Sequence, residues 1–388
     1  MVNALGAGAE EVTPRLLAGD TSRLTLRADL VPDRTLLLGE VRSPLPKLPV
    51  SLARYECRNN ALALAALLQI EPAVAAARTR FGSHRLGVVM GTSTSGVGDA
   101  EEAIRHQQTT GGLAPSFAYE QLEFGGIAHF VADYLSISGP AYTLSTACSS
   151  GARALASARS LLALGLCDAV IAGASDSLCR LTTNGFSALQ AISPDLTNPC
   201  SVNRRGLTLG EGATLFLVTS EPSGIQLLGV GESSEAHHMS APDPSGIGAE
   251  TAMRAALEDA GLVPRDIAYL NLHGTGTAQN DSMECCAAAR VLGSDVPMSS
   301  TKPLVGHTLG AAGAMEAGFC WLVLRASRNG LLALPPHCWD GARDPELPEL
   351  RLVAKGEQAP VPGRAVAMTN SFGFGGNNCT LVLGAALP

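Results

Sequence analysis

Hydrophobic and polar positions along this chain repeat in two similar rounds. The first becomes legible at "ECRNNALALAALLQI" (56–70), where apolar residues recur at helical spacing. Next comes "RLGVVMGTSTSG" (85–96), a short apolar run ending in Ser, Thr and Gly, which predicts a buried strand entering a loop. The stretch "GPAYTLSTACSSGARALASARSLLALGLCDAVIAGASDS" predicts a strand over 142–147, a sharp turn at Cys148, a helix over 149–165 and a strand over 168–173. That is a β–α–β unit, the building block of a parallel sheet. The second round begins near residue 223. "IQLLGVGESSEA" predicts a strand, "GAETAMRAALEDAGL" an amphipathic helix, and "IAYLNLHGTGT" a strand that ends in a histidine-bearing loop. Residues 1–56 carry a mixed pattern with prolines in "PLPKLPV".

Each round contains a helix of small residues, "SSGARALASARSLLAL" and "LGAAGAMEAGFCWLVL", introduced by Cys148 and His307 respectively. Ala and Gly faces let helices approach neighbouring backbone closely. The pattern predicts two similar halves facing each other with these helices between them, residues 1–222 and 223–388. Composition agrees with a tightly packed chain: 46% of residues are apolar, 16% are charged, and 42 are glycine. The net charge of −8 argues against a general affinity for nucleic acid or anionic membrane. No run of about twenty apolar residues predicts a membrane span. The start "MVNALGAGAEEV" lacks a basic n-region, so no signal peptide is expected and the cytoplasm is the expected location. The ten cysteines follow no metal-ligand spacing, and reduced thiols are expected.

Four loops carry candidate chemistry. Cys148 lies where a strand turns into a helix, whose free N–H groups and positive dipole end can acidify a thiol and hold an oxyanion. Free cysteine is also commonly buried and inert, and Cys148 by itself is balanced between the two. "NLHGTGTAQND" offers His273, with Thr275 and Thr277 presenting hydroxyls to one face. "STKPLVGHTLGAAGAMEA" offers Lys302 and His307 on a Pro/Gly turn, and Glu316 as a partner for the lysine; an ordinary surface pair is the plain alternative. "TNSFGFGGNNCTLVL" offers glycines 373, 375 and 376 for a tight loop with exposed N–H groups. The pair His237 and His238 faces apart on most backbones and predicts no metal site. One Cys, two His and one Lys on separate Gly-rich loops together describe a thiol nucleophile with a two-imidazole donor site.

With those motifs in place the chain resembles the β-ketoacyl synthases, the decarboxylating condensing enzymes of fatty-acid and polyketide assembly. "TACSSG", "HGTGT", "KPLVGHTLGAAGAMEA", "NSFGFGGNN" and "GLTLGEGA" (206–213) carry the resemblance, in order, over nearly the whole chain. It implies the thiolase-like α/β fold, five αβαβα layers built from two βαβαβ halves. It implies catalytic Cys148, His273, His307 and Lys302, with Glu316 in support of the lysine and the two together holding His307. The backbone N–H groups of Cys148 and Phe374 would form the oxyanion hole, with Phe374 as a gate and Phe372 behind it. Thr275 and Thr277 would bind the phosphopantetheine, and Phe186 would line the acyl pocket. The implied partners are an acyl carrier protein and either a second copy or a chain-length-factor-like paralogue. No metal and no resident cofactor are implied, since phosphopantetheine arrives on the carrier.

The second histidine favours the elongating Cys-His-His class over the initiating Cys-His-Asn class. A thiolase acting on CoA esters and a non-catalytic chain-length factor are the alternatives. "RNNALALAALLQI", "VVMGTSTSGV" and "LLGVGESSEAHHMSAP" look most like ketosynthases of bacterial aryl-polyene (xanthomonadin-like) pigment clusters. Family members begin with a short strand before an x-P-L-G-like turn. Here "MVNALG" resembles that turn already, so the first strand is expected to be missing and a sheet edge uncovered.

Overall fold

The molecule is built around two sheets whose faces are apolar on both sides, as parallel strands require. The strands Leu86–Gly91 and Ala169–Asp176 are buried at every position. The computed structural model describes residues 1–221, 224–361 and 363–385. The boundary expected between residues 222 and 223 lies outside the described residues.

The first sheet runs in the order Gly6–Ala7, Val2–Asn3, Gly212–Thr219, Ala169–Asp176, Leu86–Gly91, Ala141–Leu144. The second runs Ile225–Ser234, Asn377–Ala385, Val366–Gly373, Tyr269–Asn271, Met298–Ser299. From Val2–Asn3 onward the two match strand for strand. Each opens on two antiparallel pairings and closes on two parallel ones. The doubled pattern seen along the sequence is therefore a doubled topology.

Helices Arg58–Leu67 and Gly126–Leu135 cover the outer face of the first sheet, and Ile247–Ala260 covers that of the second. Between the sheets lie Ser150–Ala163 and Ala312–Arg325, giving five layers in the order αβαβα. The central helices touch through glycine. A Cβ on Gly151 would fall 2.6 Å from the Ala314 nitrogen, and one on Gly313 would fall 2.7 Å from the Ala152 nitrogen. The small residues of both helices are thus a requirement of their contact.

The amino terminus corrects an expectation. The first strand is present: Val2–Asn3 pairs with Gly6–Ala7 in a tight hairpin, and Val2 pairs with Ala213. Val2 is fully buried, and the Asn3 side chain accepts the Leu5 N–H at 2.9 Å, closing the turn within "MVNALG". The six residues 2–7 supply both strand and turn. The edge of the sheet is a two-residue strand, too short to template further pairing. The hairpin Thr25–Val31 and Arg34–Leu38, in the region of mixed pattern, packs against the helix Arg180–Ala188.

Candidate active site

Cys148 stands between the strand Ala141–Leu144 and the helix Ser150–Ala163. The turn is sharp because Ala147 adopts a left-handed φ of 52°, uncommon for a residue with a Cβ. The serine pair stabilises it. The Ser150 hydroxyl receives the Thr146 N–H at 2.8 Å and donates to the Ala147 carbonyl at 2.6 Å, while the Ser149 hydroxyl donates to the Thr146 carbonyl at 2.8 Å. The strand Val366–Gly373 ends against this turn. A Cβ on Gly373 would lie 2.9 Å from the Thr146 carbonyl oxygen, and the next N–H, that of Phe374, reaches the Cys148 sulfur.

His307 Nε2 lies 3.1 Å from Cys148 Sγ. Its other ring nitrogen, Nδ1, accepts the Leu309 N–H at 3.2 Å, which assigns the ring proton to Nε2. The backbone of His307 is held by the "GLTLGEGA" segment: its N–H donates to Thr208 at 2.6 Å and its carbonyl receives Gly210 at 2.9 Å. That motif is therefore a brace for the histidine. His273 completes the cluster, its ring 5.2 Å from that of His307 at 87°. Burial holds both imidazoles well below the usual histidine range, and the nearby Lys302 charge acts in the same direction. Both rings are neutral donors at neutral pH.

Lys302 and Glu316 form a fully buried ion pair at 2.5 Å. Its placement corrects the expectation that it holds His307. The Lys302 ammonium donates to the His273 carbonyl and sits 3.4 Å from His273 Nδ1. The cause is the chain path. Gly306, at φ 74°, ends the short helix Lys302–Val305, after which the chain carries His307 to Cys148 while Lys302 stays beside His273. The thiol differs from expectation too. Burial pushes Cys148 up to about 11, and the opposing pull of Lys302 and of the Phe374 N–H does not cancel it.

One cavity of about 570 Å³ collects Cys148, His273, His307, Thr275, Thr277, Phe186, Phe372 and Phe374. Lys302 and Glu316 stand behind its wall. The Thr275 and Thr277 hydroxyls lie 2.9 Å apart, so one polar spot faces the cavity as expected. Phe374 is partly exposed and packs on Phe186 with ring centres 5.5 Å apart, while Phe372 is buried against His273 at 5.9 Å. Arg204 and Arg205 reach the mouth; Arg204 is tied to Asp344 in a buried pair, and Arg205 to Asp195 at the surface. The donor atoms of Cys148, His273 and His307 lie within 4.8 Å of one another, the one such three-ligand grouping among the described residues. His238 Nδ1 instead accepts the N–H groups of Ser240 and Ala241 at 3.1 Å, a structural use.

Sequence reasoning missed two acids. Glu284 receives the His273 and Gly274 N–H groups at 2.8 and 2.7 Å, and Asp281 receives those of Gly276 and Cys200 at 3.1 and 2.8 Å. Both are buried on the helix Ala278–Leu292 and clamp the "HGTGT" loop from behind. The signal was available in "NDSMEC": two acids three apart, at the start of a helix that follows a glycine loop rich in free N–H groups.

Family models for the β-ketoacyl synthase N-terminal and C-terminal domains match residues 61–223 and 225–329. Nodulation protein E of Rhizobium meliloti is 34% identical over 309 residues, covering 76% of this chain and 75% of that protein. A 3-oxoacyl-[acyl-carrier-protein] synthase 2 of the same species (strain 1021) is 34% identical over 324 residues, 76% and 73% of the two chains. A ketosynthase from Xenorhabdus doucetiae, solved in complex with its chain length factor, superposes with a TM-score of 0.93 at 45% identity, over 99% of this chain and 96% of that one.

Proposed function

Since this chain belongs to the β-ketoacyl synthase family, a family of acyl-transferring condensing enzymes with the thiolase-like fold, we propose that it elongates a carrier-bound acyl chain by two carbons through acyl-Cys148. The observation that carries this reading is the meeting of Cys148 with two neutral imidazoles in one cavity, His307 at 3.1 Å from the sulfur.

The Cys148 sulfur attacks the thioester carbonyl of an acyl carrier protein. The N–H groups of Cys148 and Phe374 hold the oxyanion, and the carrier's phosphopantetheine thiol leaves with the proton that Cys148 gives up. Malonyl carrier protein then enters, its pantetheine against Thr275 and Thr277. His273 and His307 donate from Nε2 to the malonyl thioester carbonyl. Carbon dioxide departs, the enolate keeps the electron pair, and its carbon attacks the acyl carbonyl. The tetrahedral adduct collapses with cleavage of the bond between the acyl carbon and the Cys148 sulfur, the 3-oxoacyl carrier leaves, and the Cys148 thiolate takes up a proton from water. Neutral donors suit the decarboxylation because they stabilise the forming enolate oxyanion without also stabilising, as a cation would, the malonyl carboxylate that has to leave. Lys302 fixes His273 by donating to Nδ1, and the Leu309 N–H does the same for His307. Phe186 and Phe374 form the wall where the acyl chain turns away. As written the reaction draws on no cofactor of the chain's own; phosphopantetheine comes with the carrier.

The substrate class we assign is an aryl-polyene-type chain, on the sequence resemblance and on the 45% identity with the Xenorhabdus ketosynthase. That relative's assembly favours a second reading of the partner, a chain-length-factor-like paralogue in place of a second copy. The halves 1–222 and 223–388 would each contribute reactive side chains, the first the thiol and the second both histidines. Among the described residues no single helix is long and apolar enough to cross a membrane, which fits the proposed cytoplasmic location. A thiolase, which by family resemblance would carry a second catalytic cysteine in a C-terminal glycine motif, is disfavoured because Cys379 lies within the strand Asn377–Ala385 and does not line the cavity. A chain-length factor is disfavoured by the intact thiol.

The test is incubation with a panel of acyl and aryl-enoyl carrier thioesters plus malonyl carrier protein, with and without a co-expressed partner. Two-carbon extension is expected, with aryl-enoyl thioesters preferred. Thiolysis by coenzyme A without any need for malonyl carrier protein would overturn the reading.

A further inference from the structure

Asp176 ends the strand Ala169–Asp176, is fully buried, and has no part in the reaction written above. Its carboxylate is surrounded by donors. The hydroxyls of Thr92 and Thr94 lie 2.6 and 2.8 Å from Oδ1, and that of Ser93 lies 2.6 Å from Oδ2. The Thr94 N–H reaches Oδ1 at 2.9 Å, and the Ser93 N–H reaches both oxygens at 2.9 and 3.1 Å. The sixth donor comes from the far half of the chain: the Gly310 N–H, 2.6 Å from Oδ2. A carboxylate is acceptor-only and matches such a shell. An amide in its place would turn N–H against N–H.

Gly310 belongs to the turn that orients His307. Leu309, just before it, holds a left-handed φ of 52° and supplies the N–H that His307 Nδ1 accepts. A branched residue keeps such a conformation only when its surroundings over-determine it. On one side His307 is tied to Thr208, and on the other Gly310 is tied to Asp176 and to the Ser93 hydroxyl at 3.0 Å. The approach is close: a Cβ on Gly310 would lie 2.7 Å from Asp176 Oδ2.

We propose that Asp176 is a positioning residue for His307, acting through Gly310 and Leu309 to fix the imidazole with its Nε2 proton toward the reacting carbonyl. The inference rests on the proposed role of His307 as a donor to the malonyl thioester. It separates Asp176 from the Lys302–Glu316 pair, which serves His273.

Asp176→Asn is measured in two half-reactions: single-turnover acylation of Cys148 by mass spectrometry, and malonyl carrier decarboxylation. The expected result is a fall of about 10- to 100-fold in the decarboxylation kcat, less than the outright loss of an oxyanion donor because the imidazole is displaced and not removed, with KM within about threefold and acylation reduced less. Ser93→Ala, which removes one donor to Asp176 and one acceptor for Gly310, should give a smaller loss of the same kind. Decarboxylation within about threefold of the parent protein would overturn the proposal, as would equal loss of both half-reactions. Should Asp176→Asn not fold, Ser93→Ala and Thr94→Val decide, and the absence of any selective loss in them overturns it too. A parent protein that neither acylates Cys148 nor decarboxylates malonyl carrier protein would instead refute the condensing reading itself.

Discussion

On the proposed mechanism Cys148 and its two histidines act in different halves of one reaction, and single substitutions should separate them. With the thiol pushed up to about 11, reactivity depends on stabilising the tetrahedral oxyanion more than on a standing thiolate. Cys148→Ala should abolish condensation, and intact-protein mass spectrometry should place an acyl group on Cys148 alone. A modified Cys167 or Cys200 beside an intact Cys148 would refute the assignment. His273→Ala should spare acylation while lowering decarboxylation by about 10² to 10³, the usual cost of one oxyanion donor. Stopped-flow acylation and CO₂ release measure the two steps; equal loss would assign His273 a structural role.

The central helices show how an element can be fixed by what its residues lack. Ser150–Ala163 and Ala312–Arg325 touch where Gly151 and Gly313 leave no room for a methyl group. Gly151→Ala or Gly313→Ala should each destabilise the protein by about 1–3 kcal/mol, the ordinary cost of overpacking. A chemical-denaturation midpoint unchanged from the parent would contradict that contact. These helices were legible in the sequence because small-residue runs after a reactive side chain are uncommon. So were the buried strands, whose apolar runs are short and bounded by glycine. The opening strand was not, because Val2 and Asn3 are too few to show a period, and their pairing depends on Ala213 two hundred residues away. The partner of Lys302 was legible, but not which histidine the pair serves, since the turn at Gly306 is a property of the backbone and leaves no mark in residue spacing. Glu284 and Asp281 were overlooked although their spacing after the glycine loop was visible, because acids at a helix start are most often solvated and only the fold shows these two buried.

At the scale of the whole molecule, three buried histidines bear on stability. His273, His307 and His337 are all held below the usual range by burial, His337 at about 4. In the unfolded chain each takes up a proton near pH 6.5, while the folded chain does not. Stability contributed by the neutral rings is therefore present above pH 6.5 and lost as pH falls below it. Glu316, pushed up to about 7 by burial against the pull of Lys302, takes up a proton in the folded state and offsets one of the three. The contribution of the histidines is therefore a loss of stability as pH falls from 6 to 5, at about 1.4 kcal/mol per pH unit for each proton the folded chain does not take up. Urea titrations at those two pH values measure it, and equal midpoints would refute it. On the proposed reading, access from solvent is decided at the same scale, at the partly exposed Phe374. Its ring lies on the cavity wall and its N–H on the sulfur, so one α-carbon serves both. Rotation about χ1 moves the ring alone, whereas a shift of the glycine-flanked backbone moves both. With Phe374 as the gate that the resemblance implies, a guest small enough to pass by rotation would meet an assembled site, and one that displaces the backbone would disarm the chemistry as it enters, so that a misfit would be rejected by catalysis as well as by size.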